Sequence, residues 1–226
     1  MLIIFQVLFS FCLLFQFLEV RGQIGVMMGG GGTFSGANAA GKNFSQVLLG
    51  TQTSIAISAI TDDGRGGLYI VDNTFSGYAC IYRISVPSAK VQNAAAISSP
   101  TNNVPGLVKA SADAFYITSY GPAIFRCAFS PTLSCTQYST GFVHSDKIWG
   151  DAAGNLFVTD ADNPIIRMIR VNSPLNPVVI AGGGPSTPID GVLPINALFN
   201  NPTAIGGDAY GNLFVGGHRL SNCFPV

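Results

Sequence analysis

Charged side chains are scarce in this sequence. Only 10% of its 226 residues are charged, and 11 Lys and Arg balance 11 Asp and Glu, so the formal net charge is zero. Glu19 is the only glutamate, and no run of basic residues occurs. Nucleic-acid binding is excluded as a function, because it needs Lys and Arg to replace counterions along the phosphates. The shortage of Glu and Lys also argues against long surface helices.

Several catalytic and metal-binding signatures are missing as well. The sequence has no Cys-x-x-Cys pair, which removes support for zinc-cluster and thioredoxin-type interpretations. It has no Gly-x-Ser-x-Gly elbow to present a serine nucleophile. The Gly-rich runs at 29–32 and 182–184 lack the Lys-Ser/Thr pair and the following helix of a phosphate-binding loop. Because no catalytic set is assembled, we favour a protein that is not an enzyme.

The one long apolar segment lies at the N-terminus. Residues 2–18 are almost wholly apolar, and the short side chains of Val20 and Gly22 suit signal-peptidase cleavage after Gly22. We predict a signal peptide over residues 1–22 and a secreted or extracytoplasmic mature chain without a membrane span. The alternative is an uncleaved anchor, although about 17 apolar residues is short for crossing a bilayer. In an exported eukaryotic protein, Asn43 would be a glycosylation site.

Four cysteines follow residue 22, and disulfides are the default in an oxidising compartment. Cys127 and Cys135 stand symmetrically about Pro131, so a hairpin turning there would bring them face to face. We predict this disulfide, with two free thiols as the alternative. A Cys80–Cys223 bridge follows only by elimination, and a partner beyond the C-terminus of this sequence fits equally well.

An internal repeat organises most of the remaining sequence. Four segments align without gaps, and in each an anchor residue is followed by an aromatic and then a β-branched residue, as in Leu156-Phe157-Val158. The anchors recur about 40 to 60 residues apart, a spacing typical of propeller blades and solenoid repeats. The repeat cores are residues 60–72, 107–119, 148–160 and 205–217.

Each repeat core has the composition of a tight hairpin. Asp63, Asp151 and Asp208 each precede a Gly by three residues, which is typical of a turn whose glycine needs positive φ. The aromatic and β-branched residues after the turn predict a strand that is buried on both faces. The second core lacks this Asp and Gly, so we expect a different loop there. Third strands are predicted at 81–84, 124–127 and 168–171.

Antiparallel sheets of about four strands that recur with both faces covered describe the blades of a β-propeller. We therefore predict an all-β fold, with one propeller domain over residues 23–226. At about 45 residues a blade, this length gives about four to five blades. A β-sandwich or a β-solenoid is the alternative.

The repeat cores carry a family resemblance. The pattern Asp-x-x-Gly-Asn-Leu-aromatic-Val-x-Asp at 151–160, seen in part at 208–215, resembles the NHL repeat. The Gly-rich stretch from Ala181 to Pro202 is similar to the connections in NHL-repeat propellers. The resemblance implies a β-propeller of NHL type. Because such rings mostly have six blades, it also implies a truncated product or an incomplete ring that needs a partner.

Two histidines become metal-binding candidates under that resemblance. Peptide-amidating lyases are exported NHL-type propellers whose metal is held by three histidines. This sequence offers His144, just ahead of a repeat core, and His218. We expect both to be solvated or hydrogen-bonded, with metal binding as the alternative.

Two carboxylates end the predicted hairpin strands. Asp72 and Asp160 would project onto one rim of the ring, where they are the best candidates for contacting a ligand or a cation. Capping of the following loop is the simpler role for both residues.

Four larger side chains within the repeats have structural interpretations. Arg83, Arg126 and Arg170 recur in the third strands, where they would form a basic ladder or lie at a solvent edge or pair with neighbouring Asp residues. Trp149 stands where other repeats have smaller residues, so we expect it to fill space between blades.

The leading functional hypothesis is an exported, non-enzymatic propeller that binds or scaffolds a protein or glycan partner on one rim. The rival is a metal-dependent lyase or hydrolase built on the same ring and using zinc or calcium. The leading hypothesis needs no cofactor. Neither the ligand nor the oligomeric state is indicated by the sequence.

Overall fold

The structure is a computed structural model of the whole chain. It describes residues 16–20, 23–27, 57–63, 65–73, 79–85, 90–97, 104–111, 114–130, 132–186, 191–217 and 224–225. The chain divides into two compact units, Met1–Asn102 and Asn103–Val226.

The first unit contains a hairpin and a four-stranded antiparallel sheet. Strands β1 and β2 pair antiparallel in the hairpin. The first sheet is a meander in the order β3-β4-β5-β6. The strands are β1 (Gln16–Val20), β2 (Gln23–Met27), β3 (Ile57–Asp62), β4 (Gly67–Asp72), β5 (Ala79–Ser85) and β6 (Lys90–Ile97).

The hairpin overlaps the region predicted as a signal peptide, since β1 lies within residues 1–22 and β2 follows it. Cleavage of this region stays a prediction. Within the described part of the chain, no helix has the length and apolar character needed to cross a membrane. The glycosylation candidate Asn43 lies outside the described residues.

The second unit contains three further antiparallel sheets in chain order. The second sheet comprises β7 (Leu107–Ser111), β8 (Ala114–Thr118), β9 (Ala123–Phe129) and β10 (Leu133–Thr140). The third comprises β11 (Ser145–Gly150), β12 (Leu156–Asp160), β13 (Ile165–Arg170) and β14 (Ser173–Gly182). The fourth comprises β15 (Pro202–Gly207), β16 (Leu213–Gly217) and β17 (Phe224–Pro225), after a short 3-10 helix at Pro194–Asn196. The all-β prediction is confirmed, and no α-helix occurs among the described residues.

The Asp-x-x-Gly turns form as predicted. The Asp151 carboxylate accepts hydrogen bonds from the backbone N–H of Asn155 at 2.8 Å and from its side-chain amide at 2.9 Å. Gly154 has a φ of 86°, a conformation that glycine adopts without strain. Asp208 repeats both bonds with Asn212, and Asp63 accepts from the backbone N–H of residues 65 and 67. These three carboxylates are therefore turn formers.

The second core departs from that turn, as expected. Strand β7 ends at Ser111 and β8 begins at Ala114, and these two residues are paired. Only residues 112 and 113 separate the strands, whereas five residues separate β11 from β12. Without the Asp and Gly, this repeat therefore connects its first two strands by a shorter link.

The third strand of the third repeat begins earlier than predicted. Strand β13 starts at Ile165, which lies opposite Asp160, rather than at Met168. Met168 consequently faces Phe157, as Arg83 faces Tyr69 in the first sheet. The three arginines do not form a ladder, because Arg170 does not share the register of the other two. The alternative interpretation holds instead, since Arg83 pairs with Asp63 and both Arg126 and Arg170 are exposed.

The third sheet is buried on both faces. Ile148 and Leu156 belong to an apolar cluster that includes Ile124 of the second sheet. On the opposite face, Ile166 belongs to a cluster with Val215 of the fourth sheet. Neighbouring residues of a strand point to opposite faces, so one strand can serve two interfaces. Successive sheets of the second unit are thus stacked face to face, as the blades of a propeller are.

Trp149 fills space between two of these sheets, as predicted. A Cβ atom added at Gly207 of β15 would lie 2.5 Å from Cη2 of Trp149. The Trp149 ring also lies 5.4 Å, centroid to centroid, from the ring of Phe157. The indole therefore packs directly on the backbone of the fourth sheet, where only glycine leaves room for it.

The predicted Cys127–Cys135 disulfide is confirmed. The two residues are directly opposite each other in β9 and β10, with their Cα atoms 4.1 Å apart. Cys80 is a fully buried free thiol, and Cys223 lies outside the described residues, so the Cys80–Cys223 bridge stays a prediction. Burial raises the pKa of Cys80 to about 11. This thiol is therefore neutral and unreactive at neutral pH.

Removal of the disulfide should lower the stability of the second unit moderately. The bridge closes a loop with a sequence separation of 8, and so short a loop contributes about 2.5 kcal/mol through chain entropy. We expect the free energy of unfolding of the Cys127→Ala/Cys135→Ala variant, measured by urea titration, to be lower than that of the wild type by about this amount. Dithiothreitol should lower the unfolding midpoint of the wild type and leave that of the variant unchanged. Equal sensitivity of both proteins to the reductant would contradict the assignment.

Candidate functional site

Three loops of the second unit meet at one place. They are residues 119–122 after β8, residues 141–144 after β10 and residues 161–164 after β12. Ser145 donates its backbone N–H to the carbonyl of Gly121 at 3.1 Å, and Ala161 donates to the carbonyl of His144 at 2.9 Å. We refer to residues 119–122, 141–144 and 161–164 as the three-loop rim.

Asp160 fixes the middle loop of this rim. Its carboxylate is fully buried and accepts hydrogen bonds from the backbone N–H of Val143 at 3.0 Å and of His144 at 2.8 Å. The side chain of Arg167 donates to it from 3.2 Å. The carboxylate is thus engaged by internal donors and caps loop 141–144, rather than the following loop 161–164 that the sequence indicated. Asp72 is fully buried too. Ligand contact through Asp72 or Asp160 stays a prediction.

His144 is held by a second carboxylate. Its Nδ1 atom lies 2.9 Å from Oδ2 of Asp162, whose side chain is largely exposed. Because the carboxylate can only accept while it is ionised, we assign the Nδ1 proton to this bond. The Nε2 atom is enclosed by the structure and has no hydrogen-bond partner among the described residues. Such an atom is costly to leave unpaired, which makes His144 unusual for a purely structural residue.

Tyr120 lies against this histidine. The two ring centroids are 3.8 Å apart in an edge-to-face arrangement. Tyr120 has a φ of 55° and is 48% exposed. A bulky residue in the left-handed region stores backbone strain, which is concentrated at binding and catalytic positions. Partial burial raises the pKa of Tyr120, and the Asp146 and Asp162 carboxylates raise it further, so its hydroxyl remains a donor at neutral pH.

A buried carboxylate, Asp146, lies next to the three-loop rim in the chain, two residues after His144. Asp146 is almost fully buried, and burial raises its pKa, while Lys147 and His144 partly oppose that change. The Lys147 ammonium lies 3.5 Å from the carboxylate and donates to the carbonyl of Pro105 at 2.6 Å. Thr118 donates its hydroxyl to the carbonyl of Asp146. These bonds join the start of β11 to the second sheet.

The described residues do not fit a zinc site of the kind that the family resemblance implied. No group of three His, Cys, Asp or Glu side chains is arranged as metal ligands in the described part of the chain. The predicted candidate His144 uses one ring nitrogen for Asp162. The other candidate, His218, lies outside the described residues. The arrangement offers an exposed aromatic ring at Tyr120 and an exposed carboxylate at Asp162.

Sequence reasoning missed Tyr120 and Asp162. The neighbouring Gly121-Pro122 dipeptide marks a loop. It does not show that this loop meets His144, which is 24 positions further along the chain. The contact between this loop and His144 depends on how the sheets stack, and short-range sequence patterns do not indicate that stacking.

No protein-family model and no curated protein matches this chain. Among solved structures, a protein of unknown function from Bacteroides thetaiotaomicron VPI-5482 matches with a TM-score of 0.55 at 17% identity, covering 70% of this chain and 44% of that one. The WD40 β-propeller domain of Doa1 has a TM-score of 0.49 at 12% identity, with coverages of 73% and 48%. An auxiliary nutrient-binding protein from Bacteroides ovatus ATCC 8483 has a TM-score of 0.43 at 13% identity, with coverages of 75% and 58%.

These matches concern the fold alone, because their sequence identities are low. The chain spans about half the length of these three solved structures. The resemblance to the NHL family is not confirmed.

Proposed function

We propose that this chain is an exported, non-enzymatic β-propeller module of NHL type that binds a protein or glycan partner at the three-loop rim. The observation that carries the proposal is the group formed by Tyr120, His144 and Asp162 on three separate loops. Loops that converge on a rigid sheet are where binding residues concentrate.

The chemistry of the rim supports partner binding. Tyr120 presents a large apolar ring together with a hydroxyl donor, and tyrosine is enriched among residues that dominate binding energy. Asp162 presents a carboxylate that is 66% exposed, which can accept hydrogen bonds from sugar hydroxyls or from peptide donors. Export is supported by the Cys127–Cys135 disulfide, since disulfides persist in oxidising compartments. The apolar segment at residues 2–18 supports it independently.

Loss of the Tyr120 ring should abolish most of the binding. We expect the wild-type protein to bind at least one probe in an array of defined oligosaccharides or in a displayed peptide library. Tyr120→Ala should weaken that binding at least about tenfold, as the truncation of a dominant interface aromatic does. Titration calorimetry with the selected probe gives the affinities of the wild type and the variant.

Tyr210→Ala is the matched control. Tyr210 is 91% exposed in the turn between β15 and β16, away from the three loops in sequence, and its removal should leave the affinity unchanged. Equal losses in both variants, or no binding to either probe set, would overturn the proposal. Stoichiometric zinc or calcium that is lost in His144→Ala would favour the metal-dependent lyase or hydrolase instead.

A further inference from the structure

Two tyrosines of the second sheet are in direct contact across a strand. Tyr116 belongs to β8 and Tyr138 to β10, and β9 runs between these strands. The two ring centroids are 4.6 Å apart, and the ring planes are inclined at 50°. The hydroxyl groups share a hydrogen bond. The reactive ends of both phenols are therefore held next to each other, although the two residues belong to strands that are not paired.

The register of the sheet explains this contact. Arg126 of β9 lies opposite Tyr116 of β8 and opposite Thr136 of β10, so these three side chains project from the same face. Tyr138 stands two residues after Thr136, where the register of β9 and β10 shifts. Both tyrosine rings pack against the apolar cluster shared with the third sheet and are half-buried. The cluster fixes the rings, while their partial exposure leaves them open to a reagent in solution.

We propose that Tyr116 and Tyr138 are a site of oxidative cross-linking, at which hydrogen peroxide and a haem peroxidase join the two rings as dityrosine. Each phenol loses one hydrogen atom, which is one electron and one proton, and becomes a phenoxyl radical. The two radicals form a carbon–carbon bond between ring positions ortho to the hydroxyls, and the hydrogen on each bonded carbon then moves to the adjacent oxygen. One peroxide molecule takes up the two hydrogen atoms and becomes two water molecules.

The surroundings of the pair suit this chemistry. Burial raises the pKa of Tyr138 to about 12, and the hydrogen bond to Tyr116 adds to that effect, so this phenol is protonated at neutral pH and has a hydrogen atom to lose. Cys127 and Cys135 of the same sheet are already joined as a disulfide, so no thiol of the sheet competes for the oxidant. The reaction does not involve the three-loop rim, so the inference stands or falls independently of the proposed function.

The cross-link would add to the stabilisation that the disulfide provides. It joins β8 to β10 and closes a longer loop than the disulfide does, since Tyr116 precedes Cys127 and Tyr138 follows Cys135. A longer closed loop restricts the unfolded chain more strongly. We expect the cross-linked protein to unfold at a higher urea concentration than the untreated protein. Dithiothreitol should not remove this gain, because a thiol does not reduce a carbon–carbon bond.

Oxidation of the full chain at low concentration by hydrogen peroxide and a haem peroxidase tests the inference. We expect a monomeric product that has lost two hydrogen atoms and shows the fluorescence of dityrosine. Trypsin cleaves after Lys109, Arg126 and Lys147, so mass spectrometry should find peptides 110–126 and 127–147 joined. Free tyrosine oxidised in the same reaction establishes that the oxidant is active.

Tyr116→Phe and Tyr138→Phe should each abolish the joined peptides, because phenylalanine has no hydroxyl hydrogen to lose. The matched control is Tyr120→Phe, which changes a more exposed tyrosine in the same peptide as Tyr116 and should leave the yield unchanged. Circular dichroism melts establish that each variant is folded. Joined peptides that survive Tyr116→Phe would overturn the inference. So would an equal loss of yield in Tyr120→Phe, dimers joined through other tyrosines without the intramolecular product, or no cross-link while free tyrosine is oxidised.

Discussion

Replacement of Arg83 by leucine should lower the free energy of unfolding of the first unit by about 3–5 kcal/mol. Nε of Arg83 lies 3.0 Å from Oδ2 of Asp63, and both side chains are buried. The substituted leucine would leave the Asp63 carboxylate inside the protein without its counter-charge. Breaking one side of a buried pair is costly for that reason. Hydrogen exchange of the β4 and β5 amides in urea measures the loss.

The control for this substitution is Arg126→Leu. Arg126 faces Tyr116 in the second sheet just as Arg83 faces Tyr69 in the first, but it is exposed. We expect Arg126→Leu to change the free energy of unfolding by no more than about 0.5 kcal/mol, as substitutions at most surface positions do. Similar losses at both arginines would show that packing of the aliphatic stem, and not the buried charge, sets the effect.

The ion pair also makes the first unit sensitive to acid. Burial alone would raise the pKa of Asp63, but the backbone donors of Arg65 and Gly67 and the Arg83 guanidinium outweigh it and hold the pKa below its ordinary value. A carboxyl with a lowered pKa contributes stability above its unfolded value, and this contribution is lost as the pH falls through the folded value. Wild-type stability should therefore fall below about pH 4. Urea titrations at several pH values should show a smaller acid-induced loss in Arg83→Leu.

Gly207→Val should lower the free energy of unfolding by about 3 kcal/mol, which is at the upper end of the range for overpacked cores. The first added carbon alone would approach Trp149 to 2.5 Å, and the two methyl groups of valine enlarge the conflict. The indole must then move or the two sheets must separate. Trp149 is the only tryptophan, so a shift of its fluorescence to longer wavelength reports the displacement, and urea unfolding gives the energy.

Two further variants isolate the cause of that loss. Gly206→Ala changes the adjacent glycine, which has open space around it, and should alter stability by no more than about 0.5 kcal/mol. The double variant Trp149→Leu/Gly207→Val should be more stable than the sum of the single effects predicts, because contacting residues are coupled. Strict additivity would show that Trp149 is not what Gly207 accommodates.

Features that depend on nearby residues were predictable from the sequence. The Asp-x-x-Gly turn is closed by bonds that span four residues, so the pattern at 151–155 contains all of its partners. The Cys127–Cys135 pair needs only a hairpin centred on Pro131. Trp149 was correctly expected between sheets, because an indole in a repeat position held elsewhere by small residues must be accommodated by a neighbour.

Features that depend on register or on contacts between sheets were not predictable. The sequence pattern makes Arg170 equivalent to Arg83, because both stand near the end of an apolar run. The turn at 161–164 sets the pairing of β13, however, and brings Arg167 to Asp160 instead. The meeting of Tyr120 with Asp162 and His144 requires three loops to converge, and no single stretch of sequence encodes that convergence.

The capping of loop 141–144 by Asp160 has a consequence for recognition. Two backbone amides of this loop are fixed by a buried carboxylate that is itself held by Arg167. The loop is therefore ordered in the free protein, and a partner that binds there would remove little conformational entropy from it. Weakening this anchor through Arg167 should reduce affinity through the entropy of binding, even though Arg167 need not touch the partner.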